Sequence, residues 1–402
     1  MLFIDPYGVS GAPLIEGINA RKSRAHEDGY RIATSHEIMS TQAGTIAMGS
    51  SRIVDGFPDE LSYWDGGFAN MGISGTSAFE LSRASLLAAE NENIQCVIIG
   101  IDSREFGTDT LAKATYWLTT FDGGSRAASL TRTALAPHAF ARALQTFIDN
   151  MTGGEDTAWV NAYREDLMRA EFDEEVDKRY RYYLNFEYNQ DRIEFLFRGI
   201  DALLAADKQV AVFIHPRHGW QEEATQRAGS GYVEEIMRRD LAAAADARDH
   251  LPRPDNACFD AGALSVWDFA GFRPISTTPP PDETGENPNP WFHEPSHYRD
   301  IVGESIMNWL TGTPLENGAP EQDFGERFTT ETVDEVIAGL HARREAWLSQ
   351  TDDPWVQYLN GRFDALDANP PSPEAQPSIF LTPSQWTSLN SAVERIEREN
   401  AN

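Results

Sequence analysis

A serine pair directly follows the first apolar run of this sequence. Residues 45–48 read Thr-Ile-Ala-Met, and residues 49–52 read Gly-Ser-Ser-Arg. If the run is a strand, these small residues permit a tight turn that exposes a hydroxyl at its carboxyl end, where open α/β sheets bind ligands. A hydroxyl there is a nucleophile when a general base reaches it. By itself, Gly-Ser-Ser after a strand is more commonly an ordinary turn.

Two further turns carry polar residues toward the same sheet edge. Residues 70–75 read Asn-Met-Gly-Ile-Ser-Gly before a predicted helix over 77–90, and residues 100–104 read Gly-Ile-Asp-Ser-Arg after an apolar run. The free N–H groups of a loop at a helix N-terminus suit an oxyanion, although by itself the first loop is better explained by simple capping of the helix by Thr76 or Ser77. Likewise, Asp102 and Arg104 could merely pair with each other.

The string His-Glu-Pro-Ser-His at residues 293–297 permits two kinds of chemistry. It matches the H-E-x-x-H signature of zinc proteases, which requires both histidines on one helix. Pro295 opposes a helix through the string, so we predict that the helix starts near Pro295. The other hypothesis is an acid–base pair, in which the Glu294 carboxylate holds the His297 imidazole and the imidazole takes a proton from a serine.

The elements that would position these residues alternate between strands and helices. Residues 45–48, 96–101 and 209–215 are apolar runs without polar alternation, typical of strands buried on both faces. Stretches with the apolar spacing of helices lie between these runs. The sequence therefore predicts an α/β fold, a three-layer sandwich with a parallel, flavodoxin-like sheet. The predicted helices are residues 77–90, 138–151, 192–206, 298–310, 330–349 and 383–399.

The predicted organisation is a lead segment, one α/β domain and an extension. The lead segment covers residues 1–30, the domain covers 31–312, and an acidic, mostly helical extension covers 313–402. A helical insertion is predicted at about residues 155–206, whose aromatic first part either packs on the sheet or forms a lid. Residues 277–290 contain five prolines and are predicted to be a loop.

Composition excludes several classes of protein. Asp plus Glu is 63 and Lys plus Arg is 33, which gives a formal net charge of −30, so nucleic-acid binding is disfavoured. No apolar run reaches the length of a membrane span, and the opening residues do not resemble a signal peptide. With two cysteines, a Cys-ligated zinc site is excluded. We predict that Cys96 is a small buried hydrophobe, and a disulfide with Cys258 stays open.

Taken together and in order, these motifs resemble the SGNH/GDSL hydrolase superfamily over roughly residues 4–310. The stretches that match are 49–52, 70–72, 100–102 and 294–297. The closer resemblance is to a branch of cell-envelope polymer modification, with the alginate O-acetylation proteins and the DltD-type proteins of teichoic-acid D-alanylation. The resemblance implies no metal or organic cofactor. It implies a periplasmic or extracellular place, with a native N-terminal membrane anchor left open.

The resemblance assigns a role to each matching residue. Ser51 takes the nucleophile position, His297 the general base and Glu294 the orienting acid, where the family usually has Asp. The Ser51 and Gly72 N–H groups would form the oxyanion hole. Asp102 stands where the family has the hole's asparagine, and an ionised carboxylate there repels an oxyanion unless it is protonated, Arg52 or Arg104 compensates it, or the hole is built differently. Candidate substrate-binding residues are Arg52, Arg104, His215 and His218.

Three functions follow as hypotheses. The leading one is a serine esterase or O-acyltransferase that forms an acyl-enzyme on Ser51 and acts on an acylated carbohydrate polymer, with a membrane-bound acyltransferase as a candidate partner. The second is a catalytically silent relative that binds a polysaccharide or a partner, which Asp102 motivates. The third is a zinc hydrolase through His293 and His297, with His215 and His218 as candidate further ligands.

Overall fold

A computed structural model describes residues 2–22, 25–59, 66–108, 111–121, 123–153, 169–284, 286–315, 318–320 and 322–372. Within these ranges the strands are β1 Thr45–Gly49, β2 Phe68–Gly72, β3 Cys96–Ile101, β4 Gln209–Ile214, β5 Leu264–Asp268, β6 Phe292–Glu294, β7 His297–Tyr298 and β8 Glu326–Arg327. The α-helices in the same ranges are α1 Ala25–Ile38, α2 Ser51–Gly56, α3 Ala78–Glu90, α4 Arg126–Leu135, α5 Pro137–Thr152, α6 Arg169–Tyr183, α7 Asp191–Ala205, α8 Gly219–Arg227, α9 Gly231–Asp246, α10 Asp300–Thr311, α11 Val333–Leu348 and α12 Pro354–Ala368.

The central sheet has six strands in the order β2-β1-β3-β4-β5-β8. The first five are parallel and β8 pairs antiparallel with β5. The order 2-1-3-4-5 is that of flavodoxin-like doubly wound sheets, in which ligands bind at the switch point beside the first strand. Here that point lies between β1 and β3, at the carboxyl ends of both strands. The predicted α/β class with a mostly parallel sheet is confirmed.

Alternate residues of the strands build the main core. Ala47 of β1, Ile98 of β3 and Ala211 of β4 are neighbours in the register of the sheet, so they share one face and join one hydrophobic cluster, which includes the buried side chains of α10. Helices α3, α7 and α9 pack against β1, β4 and β5. The arrangement is compatible with a three-layer sandwich, and it leaves the carboxyl edge of the sheet to hold polar residues.

The predicted strands agree closely with β1, β3 and β4, but the sequence prediction missed β2 and β5. Residues 70–75 were expected to be a loop, whereas Phe68–Gly72 pairs with β1 along its whole length. β2 is the edge strand and carries Asn and Gly, so it lacks the apolar run that marks a buried strand. Backbone pairing with β1, which no composition signal reports, makes it a strand.

The predicted helix start near Pro295 was wrong. Phe292–Glu294 and His297–Tyr298 form an antiparallel hairpin, and α10 begins only at Asp300. The fixed φ of proline and the close His297–Glu294 pairing favour a tight turn over a helical one. The remaining predicted helices that fall on described residues are present, and residues 277–290 are irregular where described. The predicted helix over 383–399 lies outside the described residues.

The chain divides into two compact units, and the predicted domain boundaries do not coincide with them. Among the described residues, the first unit comprises those within 2–39 and 111–153, and the second comprises those within 40–108 and 169–372. In the first unit, α1 and α5 share a small core with Tyr7 and Val9. The lead segment and the helix predicted at 138–151 therefore belong to a unit of their own.

The second unit includes part of the predicted extension. β8 completes the sheet edge, and side chains of α11 and α12 form a hydrophobic cluster with α6 and Trp220. α6 belongs to the predicted insertion, of which residues 154–168 lie outside the described part. α7, the end of that insertion, packs on α3 and β4 as a helix of the sandwich. A boundary at residue 313 would separate elements that share one core.

Cys96 and Cys258 form a disulfide with a Cα–Cα distance of 6.2 Å. Cys96 is fully buried at the start of β3, as its apolar run indicated. The bond ties β3 to the segment that precedes β5. Within the described residues, none of the helices has the length and hydropathy needed to cross a membrane.

Candidate active site

The serine lies where β1 turns into α2. β1 ends at Gly49, and Ser51 is the first residue of α2. A Cβ on Gly49 would stand 2.6 Å from the carbonyl oxygen of Gly100 in β3, so only glycine lets the two strands stay paired at this point. The close approach fixes the path of the chain just before Ser51. Ser51 itself is partly exposed.

The β6–β7 hairpin brings the acid and the base to the serine. Glu294 ends β6 and His297 starts β7, and the two are paired across the turn. The guanidinium of Arg52 donates to the Ser296 carbonyl at 2.7 Å and to its hydroxyl at 2.9 Å. Because Arg52 follows Ser51 directly, this contact fastens the hairpin turn to α2. The Ser296 N–H donates to Glu294 at 2.8 Å, which holds the carboxylate in place.

Ser51, His297 and Glu294 form a hydrogen-bonded chain. The Nε2 atom of His297 lies 2.7 Å from the Ser51 Oγ atom, and its Nδ1 atom hydrogen-bonds the carboxylate of Glu294. Glu294 and His297 are both buried. In this order the serine O–H donates to Nε2 while Nδ1–H donates to the carboxylate. This is the geometry of a nucleophile, a base and a group that orients the base.

The charge of Glu294 is fixed by its surroundings. Burial opposes its ionisation, but His297, Arg179 and the Ser296 N–H outweigh burial and lower the pKa of Glu294 to about 2. The carboxylate is therefore ionised throughout the neutral range. An ionised acceptor on Nδ1 keeps the proton there and leaves Nε2 free to accept.

Asp102, predicted in the oxyanion hole, is a buried ion-pair partner. Its carboxylate is paired with Arg52 and accepts the Arg104 N–H at 2.6 Å. Burial, with Arg217 nearby, lowers the pKa of Arg52 to about 10, which still leaves the guanidinium charged at neutral pH. The sequence left open whether Asp102 is protonated, compensated by an arginine or bypassed by a different hole. The structure places Arg52 beside Asp102 as a compensating charge.

Gly72 lies at the end of β2, but its N–H is already engaged. It donates to the Asn70 Oδ1 atom at 3.0 Å. The amide nitrogen of Asn70 donates to the carbonyls of Ile53 at 2.9 Å and Phe57 at 2.8 Å. Asn70 thus caps the C-terminal end of α2, and its side-chain oxygen accepts the hydrogen bond of the N–H that was predicted to bind the oxyanion. The first-turn N–H of Ser51 has no partner within its own helix, as in any α-helix.

The other candidate binding residues separate into buried and exposed. His218 is buried at the start of α8, where its Nδ1 atom accepts the Trp220 N–H at 3.2 Å. His215 is buried against Gly100, with its Nδ1 atom 3.0 Å from the Tyr298 hydroxyl, and burial holds its pKa well below the usual range. Arg104 is exposed and lies 5.2 Å from the centre of the Tyr182 ring. Of the four candidates, Arg104 alone is open to solvent.

The structure adds two carboxylates that sequence reasoning missed. The Oδ2 atom of Asp55, one helical turn after Ser51, lies 3.8 Å from His297 Nε2. Glu105 is buried and accepts the Asp102 N–H at 2.8 Å, and burial raises its pKa to about 7 against the opposing charge of Arg52. The sequence did hold a signal for Asp55: it lies four residues after Ser51, and residues four apart share one face of a helix.

The two histidines of the H-E-x-x-H string do not share a helix. His293 lies in β6 and His297 in β7, so the spacing that the zinc-protease signature requires is absent. Within the described ranges, no group of three or more His, Cys, Asp or Glu side chains is arranged to hold a metal ion. His215 and His218 are each engaged with other groups in the core.

Comparisons with known proteins add nothing to these observations. No protein-family model, no curated protein and no solved structure matches the chain. The function must therefore be argued from the site itself.

Proposed function

We propose that the protein is a serine-dependent esterase or O-acyltransferase of the SGNH kind. The observation that carries the proposal is the chain of hydrogen bonds from Ser51 through His297 to Glu294. These side chains come from α2 and a hairpin 246 residues away, and they meet at the carboxyl edge of the sheet. The parallel strand order and its switch point between β1 and β3 are compatible with that family's architecture.

The reaction has two halves that use the same groups. Ser51 Oγ attacks the ester carbonyl while His297 Nε2 takes the serine proton. The imidazolium then protonates the leaving alkoxide as the ester C–O bond breaks, which leaves an acyl-enzyme. Water or a sugar hydroxyl gives its proton to Nε2 and attacks the acyl-enzyme, and the serine is released with that proton. Glu294 stays ionised and stabilises the imidazolium in both halves.

The oxyanion is stabilised by the two N–H groups that the resemblance implies, without the asparagine donor that Asp102 replaces. We assign the first donor to the Ser51 N–H at the start of α2. The Gly72 N–H becomes a second donor when the Asn70 carbonyl oxygen releases it. Arg52 neutralises Asp102, so the carboxylate does not oppose the negative charge of the intermediate. Loss of one such donor typically costs a factor of about 10²–10³ in rate.

The proposed substrate is an acyl ester, with O-acetyl as the leading case, of a cell-envelope or exported carbohydrate polymer. This part rests on the sequence resemblance, as do the candidate membrane-bound acyltransferase partner and a periplasmic or extracellular place. The Cys96–Cys258 disulfide supports an oxidising compartment, because disulfides are uncommon in reducing cytosol. No organic cofactor is required for the reaction written above.

The test is labelling with a fluorophosphonate probe followed by peptide mapping. We expect wild type to be labelled at Ser51, and Ser51→Ala to lose the label entirely. His297→Ala and Glu294→Gln should slow labelling by about 10²–10⁴, because the base is lost or wrongly oriented. Ser50→Ala is the matched control, since Ser50 is the neighbouring buried hydroxyl, and it should keep the label.

A second function is favoured by one feature of the site. Gly72 N–H is engaged by Asn70, and an acid replaces the hole's usual amide at Asp102. These features suit a silent relative that binds an acylated polymer without cleaving it. If folded wild type takes no label at Ser51, yet a polysaccharide in the gel retards its migration in affinity electrophoresis, this function would replace the catalytic proposal.

A further inference from the structure

The carboxylate of Asp55 lies near His297 Nε2, the nitrogen that accepts and releases the proton in the proposed reaction. Its Oδ2 atom lies 3.8 Å from His297 Nε2, longer than a hydrogen bond but well within the range of a direct charge interaction. The side chain is only 2% exposed, so solvent screens the interaction little. Asp55 and Ser51 share one face of α2, and both therefore approach Nε2 from the same side.

The two arginines near this cluster are engaged with other carboxylates. Arg52 is paired with Asp102, and Arg179 lies within 3.6 Å of Glu175 and acts on Glu294. Two neutral groups belong to the same buried cluster, since Tyr298 follows His297 in β7 and its hydroxyl is 3.0 Å from His215 Nδ1. Burial holds the pKa of His215 well below and that of Tyr298 well above their usual values. Of the described residues, Glu294 and Ser51 hydrogen-bond the imidazole, Asp55 lies 3.8 Å from its Nε2 atom, and His215 interacts with it electrostatically.

We propose that Asp55 is a positioning residue that stabilises the protonated form of His297 from the Nε2 side, opposite Glu294 on Nδ1. The inference rests on the proposed function, in which Nε2 receives the Ser51 proton. Once Ser51 Oγ has attacked the ester carbonyl, it no longer donates to Nε2. The Nε2–H of the imidazolium is then attracted by Asp55 until the proton passes to the leaving alkoxide.

This arrangement has opposite effects at the two ends of the pH range. A carboxylate beside an imidazole favours the charged form of the ring, and Asp55→Asn removes that carboxylate. The same charge stabilises the imidazolium that forms in the transition state, which raises the plateau rate at high pH. Removing it should shift the acid limb of the profile to lower pH and lower the plateau about tenfold.

The experiment measures the rate constant of fluorophosphonate labelling at Ser51 from pH 4 to pH 9. We expect the profiles of wild type and Asp55→Asn to cross, with the variant faster at low pH and slower at high pH. Asp55→Glu should restore a profile close to that of wild type. Asp59→Asn is the matched control, because Asp59 is an exposed carboxylate on the segment that follows α2, and it should leave the profile unchanged.

A second measurement separates this inference from the proposed function. The titration of the His297 ring nitrogens is followed by NMR, and their signals are assigned by their loss from the His297→Gln spectrum. The midpoint of this titration should lie at lower pH in Asp55→Asn than in wild type. An equal loss of labelling at every pH with an unmoved midpoint would overturn the role of Asp55. If the midpoint falls but wild type takes no label at Ser51, the serine chemistry is wrong and the charge interaction stands.

Discussion

Two buried carboxylates near Ser51 have pKa values shifted in opposite directions. Glu294 has an imidazole and a backbone N–H as partners, and its pKa falls to about 2. Glu105 is dominated by burial, and its pKa rises to about 7. The residues are chemically identical, so their neighbours alone decide which one is a permanent anion. A carboxylate that orients a base must remain charged, and Glu294 meets that condition.

The pH dependence of stability should report on Glu105. Its pKa in the folded protein, about 7, exceeds the ordinary value of 4.5, so its ionisation opposes folding. The protonated carboxyl therefore contributes to stability at low pH, and this stabilisation is lost as the pH rises from about 4.5 through 7. Glu105→Gln should therefore become more stable relative to wild type between pH 5 and pH 8, by roughly 3 kcal/mol at most. Urea unfolding at several pH values measures this.

The control is Glu174→Gln, which changes an exposed carboxylate on α6. Its stability relative to wild type should not vary with pH. A pH-independent difference between Glu105→Gln and wild type would contradict the raised pKa.

The Arg52–Asp102 pair should be necessary for stability as well as for the site. Both side chains are at most 6% exposed. Arg52→Met leaves a buried carboxylate without its cation, and we expect a loss of about 3–5 kcal/mol in urea unfolding. The double variant Arg52→Met/Asp102→Asn removes the orphaned charge and should recover part of that loss. Equal instability of the two variants would instead assign the effect to the lost contacts of Arg52 with Ser296.

At the scale of elements, α2 is held from three sides despite its six residues. Asn70 of β2 caps its C-terminal carbonyls, and the hairpin turn is fastened to it through Arg52. On the third side α10 crosses so closely that a Cβ on Gly303 would overlap the carbonyl oxygen of Gly56. A helix this short is not stable by itself, so these contacts fix the direction of the Ser51 hydroxyl.

A pair of glycine substitutions tests this packing. Gly303→Ala should push α10 away from α2, lower stability by about 1–3 kcal/mol and slow labelling at Ser51. Gly361→Ala is the matched control, because Gly361 also lies in a helix but a Cβ there meets nothing within 4 Å. It should be neutral or stabilising by up to about 1 kcal/mol. Thermal unfolding and probe labelling together report both effects.

Equal behaviour of the two glycine variants would show that the α2–α10 approach is not tight in solution. Loss of stability in Gly303→Ala with unchanged labelling would separate the fold from the orientation of Ser51.

At the scale of the whole molecule, the disulfide is a covalent restraint on the second unit. Cys96 and Cys258 are 162 residues apart in sequence, so the bond closes a long loop through β3, α6, α7 and β4. Long closed loops restrict the unfolded chain strongly. The net charge of −30 acts in the opposite sense, since self-repulsion destabilises a compact chain.

Removal of the disulfide should therefore be costly. Cys96→Ala/Cys258→Ala is expected to lose about 2–5 kcal/mol of unfolding free energy, and wild type treated with a reductant should approach the same value. The double variant treated with the reductant is the control and should not change further. A urea midpoint that is the same with and without reductant would argue against the bond.

The sequence by itself determined the class of fold and the types of residue at the site. Uninterrupted apolar runs such as residues 96–101 can only be satisfied by burial on both faces, and they coincide with β3. The spacing of Glu294 and His297 marked them as a candidate acid–base pair, whereas Ser51 was assigned its role only through the family resemblance. The edge strand β2 and the hairpin at Pro295 were not, since each depends on a partner strand and not on its own composition.

Only the tertiary structure decided which side chains meet. Ser51 and His297 are separated by 246 residues, and no local pattern states that their side chains come within 2.7 Å. The same holds for the pairing of Arg52 with Asp102, the capture of the Gly72 N–H by Asn70 and the approach of Asp55 to the imidazole. Local propensity fixes the elements, whereas long-range packing and the cost of burying unpaired charge fix their partners.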